Sequence, residues 1–122
     1  MANVLVVDDD EGDRLGLAAM LSGAGHEVST ARDGDEALEL YVAKRIHVVV
    51  TDMVMPGRDG LSLISALRNL DPGASVIAIS GKSRSQLEAS KIFGARHILA
   101  KPVDRDQLVR AVAAVVEGSE ED

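Results

Sequence analysis

The sequence has 122 residues, no cysteine, a formal net charge of −7 and 46% apolar residues. This length allows one domain with a sizeable core, and the lack of cysteine excludes disulfides and thiolate metal sites and favours a cytoplasmic protein. The negative charge argues against direct nucleic-acid binding, and no apolar run reaches the roughly 20 residues needed for membrane insertion.

Apolar strands alternate with helical patterns along the whole chain. The predicted strands are 3–7, 26–31, 47–51, 74–80 and 97–100, and a helix follows each of them, the last over 104–117. Near-continuous Val and Ile runs in the first, third and fourth strands are typical of a parallel sheet covered on both faces. The second and fifth strands are less apolar and are expected at the edges. The pattern predicts an α/β fold, a single doubly wound (βα)5 domain of flavodoxin-like strand order 2-1-3-4-5.

Polar residues stand where four of these strands end. The first strand runs into Asp8-Asp9-Asp10, and the third, fourth and fifth end in Thr51-Asp52, Ser80-Gly81 and Lys101-Pro102. Because the carboxyl ends of parallel strands share one edge of the sheet, we expect these residues to meet there. Carboxylate oxygens suit Mg²⁺, and an ammonium beside such an ion can stabilise a phosphoryl group in transfer. The sequence therefore predicts a Mg²⁺-dependent phosphoryl site at this edge.

The same stretches resemble the receiver domain of bacterial two-component response regulators, over about residues 3 to 117. They are VVDD (6–9), TDMVMPGRDG (51–60), IS (79–80) and KP (101–102). Each motif alone is weak, but four of them in order, each at the end of the right strand, are specific. We expect a receiver domain over 1–117 and an acidic tail or linker over 118–122. Such a domain promotes its own aspartyl phosphorylation and dephosphorylation and is a signalling module, not an enzyme.

The resemblance implies a phosphoryl-transfer role for three residues. Asp52 would be the phosphoacceptor, attacking a phosphohistidine of a sensor histidine kinase or phosphotransfer domain. Lys101 would pair with the phosphoryl group, and Ser80 would donate a hydrogen bond to it after transfer. The Lys101–Pro102 peptide bond is expected to be cis.

The resemblance also implies a metal site. Asp9 would bind Mg²⁺ directly, Asp8 mainly through water, and Asp52 and the backbone carbonyl of Val54 would complete the protein ligands. Mn²⁺ is expected to substitute for Mg²⁺.

Other charged residues near this edge have simpler interpretations. Asp10 and Asp13 fall in the first turn of a helix, where carboxylates stabilise the N-terminus, and capping is the favoured reading. Lys82 is either a solvated loop residue or one that tunes hydrolysis of the acyl phosphate. The three histidines share no metal-ligand spacing and are read as structural.

A partner surface is implied on the fourth helix, the fifth strand and the fifth helix. Most receivers carry an aromatic residue three positions before the lysine, but Ile98 stands there and its branched side chain is stiff. We therefore expect a modest population shift on phosphorylation. The alternative is that the ring of His97 or Phe93 substitutes for the missing aromatic residue. The partner would be a downstream protein effector or an output domain missing from this chain. The candidate residues of this partner surface are Lys91, Phe93, His97, Ile98, Arg105 and Leu108.

Two other functions fit parts of the pattern. A small phosphohydrolase of the haloacid dehalogenase type would use Asp8 and Asp10, with Ser80 and Lys101 in its later motifs, but it leaves Asp52 without a role. A flavodoxin-like cofactor binder shares the topology, yet the acidic loop after the first strand would repel a flavin phosphate. Both are the weaker interpretations.

Overall fold

The computed structural model describes residues 2–53, 59–81 and 94–118. Within these ranges the strands are β1 (Asn3–Val7), β2 (Glu27–Ala31), β3 (Val48–Asp52), β4 (Val76–Ser80) and β5 (His97–Ala100). The helices are α1 (Glu11–Gly23), α2 (Gly34–Ala43), α3 (Gly60–Leu70) and α4 (Arg105–Glu117). Helix α4 corresponds to the fifth helix predicted from the sequence. The helix predicted after β4 lies outside the described residues. None of the described helices is both long and apolar enough to cross a membrane.

The five strands pair in parallel in the order β2-β1-β3-β4-β5. This order confirms the predicted fold class, a doubly wound sheet with helices on both faces. β3 and β4 are buried at every position, whereas most positions of β2 and β5 are partly exposed. The prediction that β2 and β5 form the edges is therefore confirmed.

Alternate residues of β1 enter two separate cores because successive side chains of a strand point to opposite faces. Leu5 and Val7 pack in a cluster with residues of α2 and α3. Val4 and Val6 pack in a second cluster with residues of α1 and α4. β1 is thus held from both sides, and the segment that follows it has a fixed starting point at the carboxyl edge of the sheet.

Each described helix begins at an aspartate that caps it. The capping carboxylate accepts a hydrogen bond from the backbone N–H three residues later, which satisfies one of the free donors of the first turn. The capping reading of Asp10 is confirmed, with an Oδ2 to N distance of 2.8 Å to Asp13. The same arrangement occurs at Asp33, Asp59 and Asp104.

β3 ends one residue later than its apolar run indicates. It was predicted to stop at Thr51, but the ladder continues through Asp52, which is in register with Ile79 of β4. The next residue, Met53, still donates its N–H to the Ile79 carbonyl at 3.0 Å. Asp52 is therefore part of the ladder between β3 and β4 and is not part of a free loop.

Candidate functional site

Three carboxylates meet at the carboxyl edge of β1 and β3. Val7 is in register with Thr51, so Asp8 comes to lie beside Asp52. One oxygen from each of Asp8, Asp9 and Asp52 lies within 4.8 Å of the others. Asp8 and Asp52 are 0% and 6% exposed, and Asp9 is exposed. The prediction that these residues come together is confirmed.

Lys101 supplies the positive charge of this cluster. Its Nζ lies 3.4 Å from Asp8 Oδ2, 3.5 Å from Asp52 Oδ1 and 2.9 Å from Asp13 Oδ2. Burial lowers the pKa of Lys101, but the hydrogen bond to Asp13 and the charges of Asp52 and Asp8 outweigh it, and the net shift is upward. The ammonium therefore stays charged at neutral pH. The Lys101–Pro102 bond that follows is cis, as predicted.

Asp8 is a buried carboxylate that lies beside two other carboxylates, those of Asp9 and Asp52. Burial raises its pKa above the ordinary value, and this effect exceeds the opposing effects of the Asp10 N–H, which donates to Oδ1 at 3.0 Å, and of Lys101. An additional positive charge nearby would stabilise the ionised form of Asp8. Because the clustered donors are all carboxylate oxygens, the site fits a hard divalent cation.

Ser80 brings a hydroxyl to the same edge. It is the last residue of β4, is 1% exposed, and lies one position beyond the residue that pairs with Asp52. A cavity of about 370 Å³, which we name the acidic cavity, opens there. It is lined by Asp8, Asp9, Asp10, Asp13, Asp52, Ser80, Gly81 and Lys101.

Other predicted site residues have different outcomes. Val54 and Lys82 lie outside the described residues, as do Lys91 and Phe93 of the partner surface. Their predicted roles stay predictions.

The remaining partner-surface residues lie on β5 and α4. His97 and Ile98 are half-buried and Arg105 is exposed. Leu108 was wrongly assigned to this surface, because it is 0% exposed and packs in the core between the sheet, α1 and α4. Its position on the inner face of α4 leaves nothing for a partner to contact.

Sequence reasoning missed the ion pair between Asp13 and Lys101. Asp13 was read only as a residue that stabilises the first turn of α1, yet its carboxylate is the closest of three to Nζ. A signal was available, since Cα–Cβ bonds in a helix tilt toward its N-terminus. A carboxylate in the first turn of α1 therefore points back toward the edge where β1 ends.

Arg14 donates a hydrogen bond to the Asp8 carbonyl at 3.1 Å and so links α1 to the end of β1.

Comparison with known proteins identifies a family that this chain matches over most of its length. A family model for the response regulator receiver domain matches residues 4–113. Protein PilH of Pseudomonas aeruginosa is 34% identical over 122 residues, which cover 97% of this chain and 100% of PilH. Transcriptional regulatory protein GlrR of Escherichia coli is 33% identical over 97% of this chain, which spans only 27% of GlrR.

Solved structures give the same result. The response regulator TrrA of Thermotoga maritima, crystallised in complex with Mg²⁺-BeF, superimposes with a TM-score of 0.86 and is 30% identical. The match covers 94% of this chain and 99% of TrrA.

Proposed function

This chain belongs to the response regulator receiver domain family of two-component systems, and on that premise we propose that it is a phosphoacceptor switch centred on Asp52. One observation carries the proposal. The Asp52 carboxylate lies at the end of a buried strand, with two further carboxylates and the Lys101 ammonium within reach, Nζ being 3.5 Å from Oδ1. A carboxylate in this setting is screened enough for an anionic phosphoryl group to approach it.

In the proposed reaction, a carboxylate oxygen of Asp52 attacks the phosphorus of a phosphohistidine on a sensor histidine kinase or phosphotransfer domain. The new O–P bond forms as the P–N bond breaks, and the bonding electrons remain on the imidazole of the donor. Lys101 offsets charge on the phosphoryl oxygens, since its ammonium already lies beside Asp52. Ser80, at the end of the neighbouring strand, donates a hydrogen bond to one of those oxygens after transfer.

The metal proposed for this site is Mg²⁺, for which Mn²⁺ can substitute. Asp8, Asp9 and Asp52 would hold it, with the Val54 carbonyl as a further ligand. When bound, it supplies positive charge that offsets the negative charge of the carboxylates and the phosphoryl group.

We assign the receiver domain to residues 1–117 and the acidic segment 118–122 to a tail or linker. The partner surface is proposed on β5 and α4, where His97, Ile98 and Arg105 are at least partly exposed. It would contact a downstream effector or an output domain in the cytoplasm, without direct binding of nucleic acid by this domain.

The hydrolase alternative has less support. It requires Asp10 to act on the substrate, but Asp10 accepts the Asp13 N–H at 2.8 Å as the cap of α1. It also assigns no task to Asp52, which is 6% exposed and lies among the clustered carboxylates.

The test is incubation with acetyl phosphate and Mg²⁺, followed by intact-mass measurement. We expect the gain of one phosphoryl group, its loss in Asp52→Ala, and no gain when a chelator removes the metal. Glu39→Gln removes one charge on α2 and serves as the control, which should behave as wild type. Phosphorylation that persists in Asp52→Ala but is lost in Asp8→Asn would replace the receiver assignment with the hydrolase.

A further inference from the structure

We propose that Asp13 is a positioning residue that holds the Lys101 ammonium in the resting domain and competes with the phosphoryl group for it. This inference rests on the function proposed above and concerns the regulation of the same site. It assigns to the first turn of α1 a direct influence on how readily Asp52 is phosphorylated. The relevant contact is the shortest of the ion pairs of Lys101, 2.9 Å from Nζ to Asp13 Oδ2.

The resting geometry favours Asp13 over the phosphoacceptor. Lys101 donates hydrogen bonds to Asp13 at 2.9 Å and to Asp8 at 3.4 Å, whereas Asp52 Oδ1 is 3.5 Å away. An ammonium has three N–H donors and no more. Two of them are therefore engaged before a phosphoryl group arrives, and the stronger of the two bonds goes to Asp13.

The Asp13 carboxylate cannot easily follow the ammonium toward Asp52. Its backbone N–H is held by the capping carboxylate of Asp10 at 2.8 Å, which fixes the first turn of α1. A closer contact between Lys101 and a phosphoryl group on Asp52 therefore requires the pair with Asp13 to lengthen or break.

The pair lies between two cavities. Asp13 and Lys101 line the acidic cavity and also a second, more apolar groove of about 470 Å³. That groove runs along α1, past Gly16 and Met20, to Val103. The Asp13 and Lys101 side chains are 49% and 24% exposed, so the pair is accessible to solvent.

The first arm of the test observes the ion pair itself, in protein without metal or phosphodonor. The ¹⁵N ammonium resonance of Lys101 should move, and its protons should exchange faster, in Asp13→Asn. It should return toward the wild-type position in Asp13→Glu, whose carboxylate can still reach Nζ. The matched control is Glu11→Gln, which removes the same charge from the same turn. An unmoved resonance in Asp13→Asn, or an equal change in Glu11→Gln, would overturn the proposal.

The second arm measures the rate of phosphorylation by acetyl phosphate with Mg²⁺ present. Because a partly exposed ion pair is modest in strength, Asp13→Asn should react about three- to tenfold faster than wild type, with Asp13→Glu close to wild type. An equal acceleration in Glu11→Gln would mean that net charge alone is responsible, and an unchanged or slower rate in Asp13→Asn would reject the competition.

The two proposals fail differently. If wild type gains no phosphoryl group, the phosphoacceptor function fails and the competition fails with it. If wild type is phosphorylated on Asp52 but Asp13→Asn is not faster, only the role of Asp13 is lost.

Discussion

Gly60 lies so close to Met53 that a Cβ on Gly60 would come within 2.6 Å of the Met53 Cα and 2.9 Å of the Asp52 carbonyl oxygen. The Gly60 N–H donates to the Met53 carbonyl at 3.0 Å. This contact joins the start of α3 to the residue that directly follows Asp52, so the packing of a helix and the position of the site carboxylate are linked.

We therefore predict that Gly60→Ala lowers the free energy of unfolding by roughly 2 kcal/mol or more, because backbone atoms must move to admit the methyl group. It should also slow phosphorylation of Asp52 by displacing Met53. Urea unfolding and intact-mass kinetics measure the two effects. The control is Gly16→Ala in α1, where a Cβ meets no atom of the described residues within 4 Å. The helix propensity of alanine should there raise the free energy of unfolding by about 0.5–1 kcal/mol. Equal stability changes in the two variants would contradict this reading.

The second prediction concerns Tyr41, whose hydroxyl donates to Asp71 Oδ2 at 2.8 Å and ties α2 to the end of α3. Burial, together with the bond and charge of Asp71, raises the pKa of Tyr41 from 10.0 to about 12. Because the folded state holds this proton more tightly, the contribution of Tyr41 to stability is complete below pH 10 and is lost as the pH rises toward about 12.

The measurement is the urea midpoint across that alkaline range. Tyr41→Phe should be less stable than wild type at neutral pH. The difference between the two urea midpoints should become smaller as the pH rises through the alkaline range. A difference that stays constant across the range would show that the hydroxyl does not titrate in this way.

The third prediction tests the metal site through stability. Mg²⁺ should raise the midpoint of urea unfolding, since a ligand at a hundred times its Kd adds about 2.7 kcal/mol when it binds only the folded state. Asp9→Asn should abolish most of this gain, because it removes one of the three clustered carboxylates. K⁺ at equal ionic strength is the control for screening. A gain of the same size in Asp9→Asn would place the ion elsewhere.

The fourth prediction concerns Ile98, which stands half-buried on β5 and packs against the core on the α2 and α3 side. Its aliphatic side chain can make no new hydrogen bond when the site fills. We expect beryllofluoride with Mg²⁺ to cause only small shifts in the amide NMR signals of β5, because the populations of the two conformations of the domain change modestly.

Two variants test whether these shifts depend on Ser80 and not on the ring of His97. Ser80→Ala should remove the beryllofluoride-dependent shifts of β5, whereas His97→Ala should preserve them. Loss of those shifts in His97→Ala would mean that its ring reports the filled site in place of Ile98.

Most of the sheet could be predicted from the sequence because buried parallel strands consist of unbroken apolar runs. The convergence of Asp8 and Asp52 followed from strand order, since β1 and β3 are neighbours, and the shared direction of the strands placed Lys101, after β5, at the same edge. Side-chain contacts across that edge could not be deduced in this way. The pair between Asp13 and Lys101 depends on how α1 leaves β1, and the burial of Leu108 depends on how α4 rotates against the sheet.

The aspartate caps have a consequence for which ions the site prefers. Each described helix follows a strand of a parallel sheet, so its N-terminus lies toward the carboxyl edge and its free N–H groups would attract anions there. At every one of these termini a carboxylate of the chain already accepts such an N–H. The capping aspartates thus place one internal anion at the start of each described helix. In the proposed switch, preference for a phosphoryl group would then depend on Lys101 and the proposed cation site, since each of these helix starts already has an anion of the chain beside it.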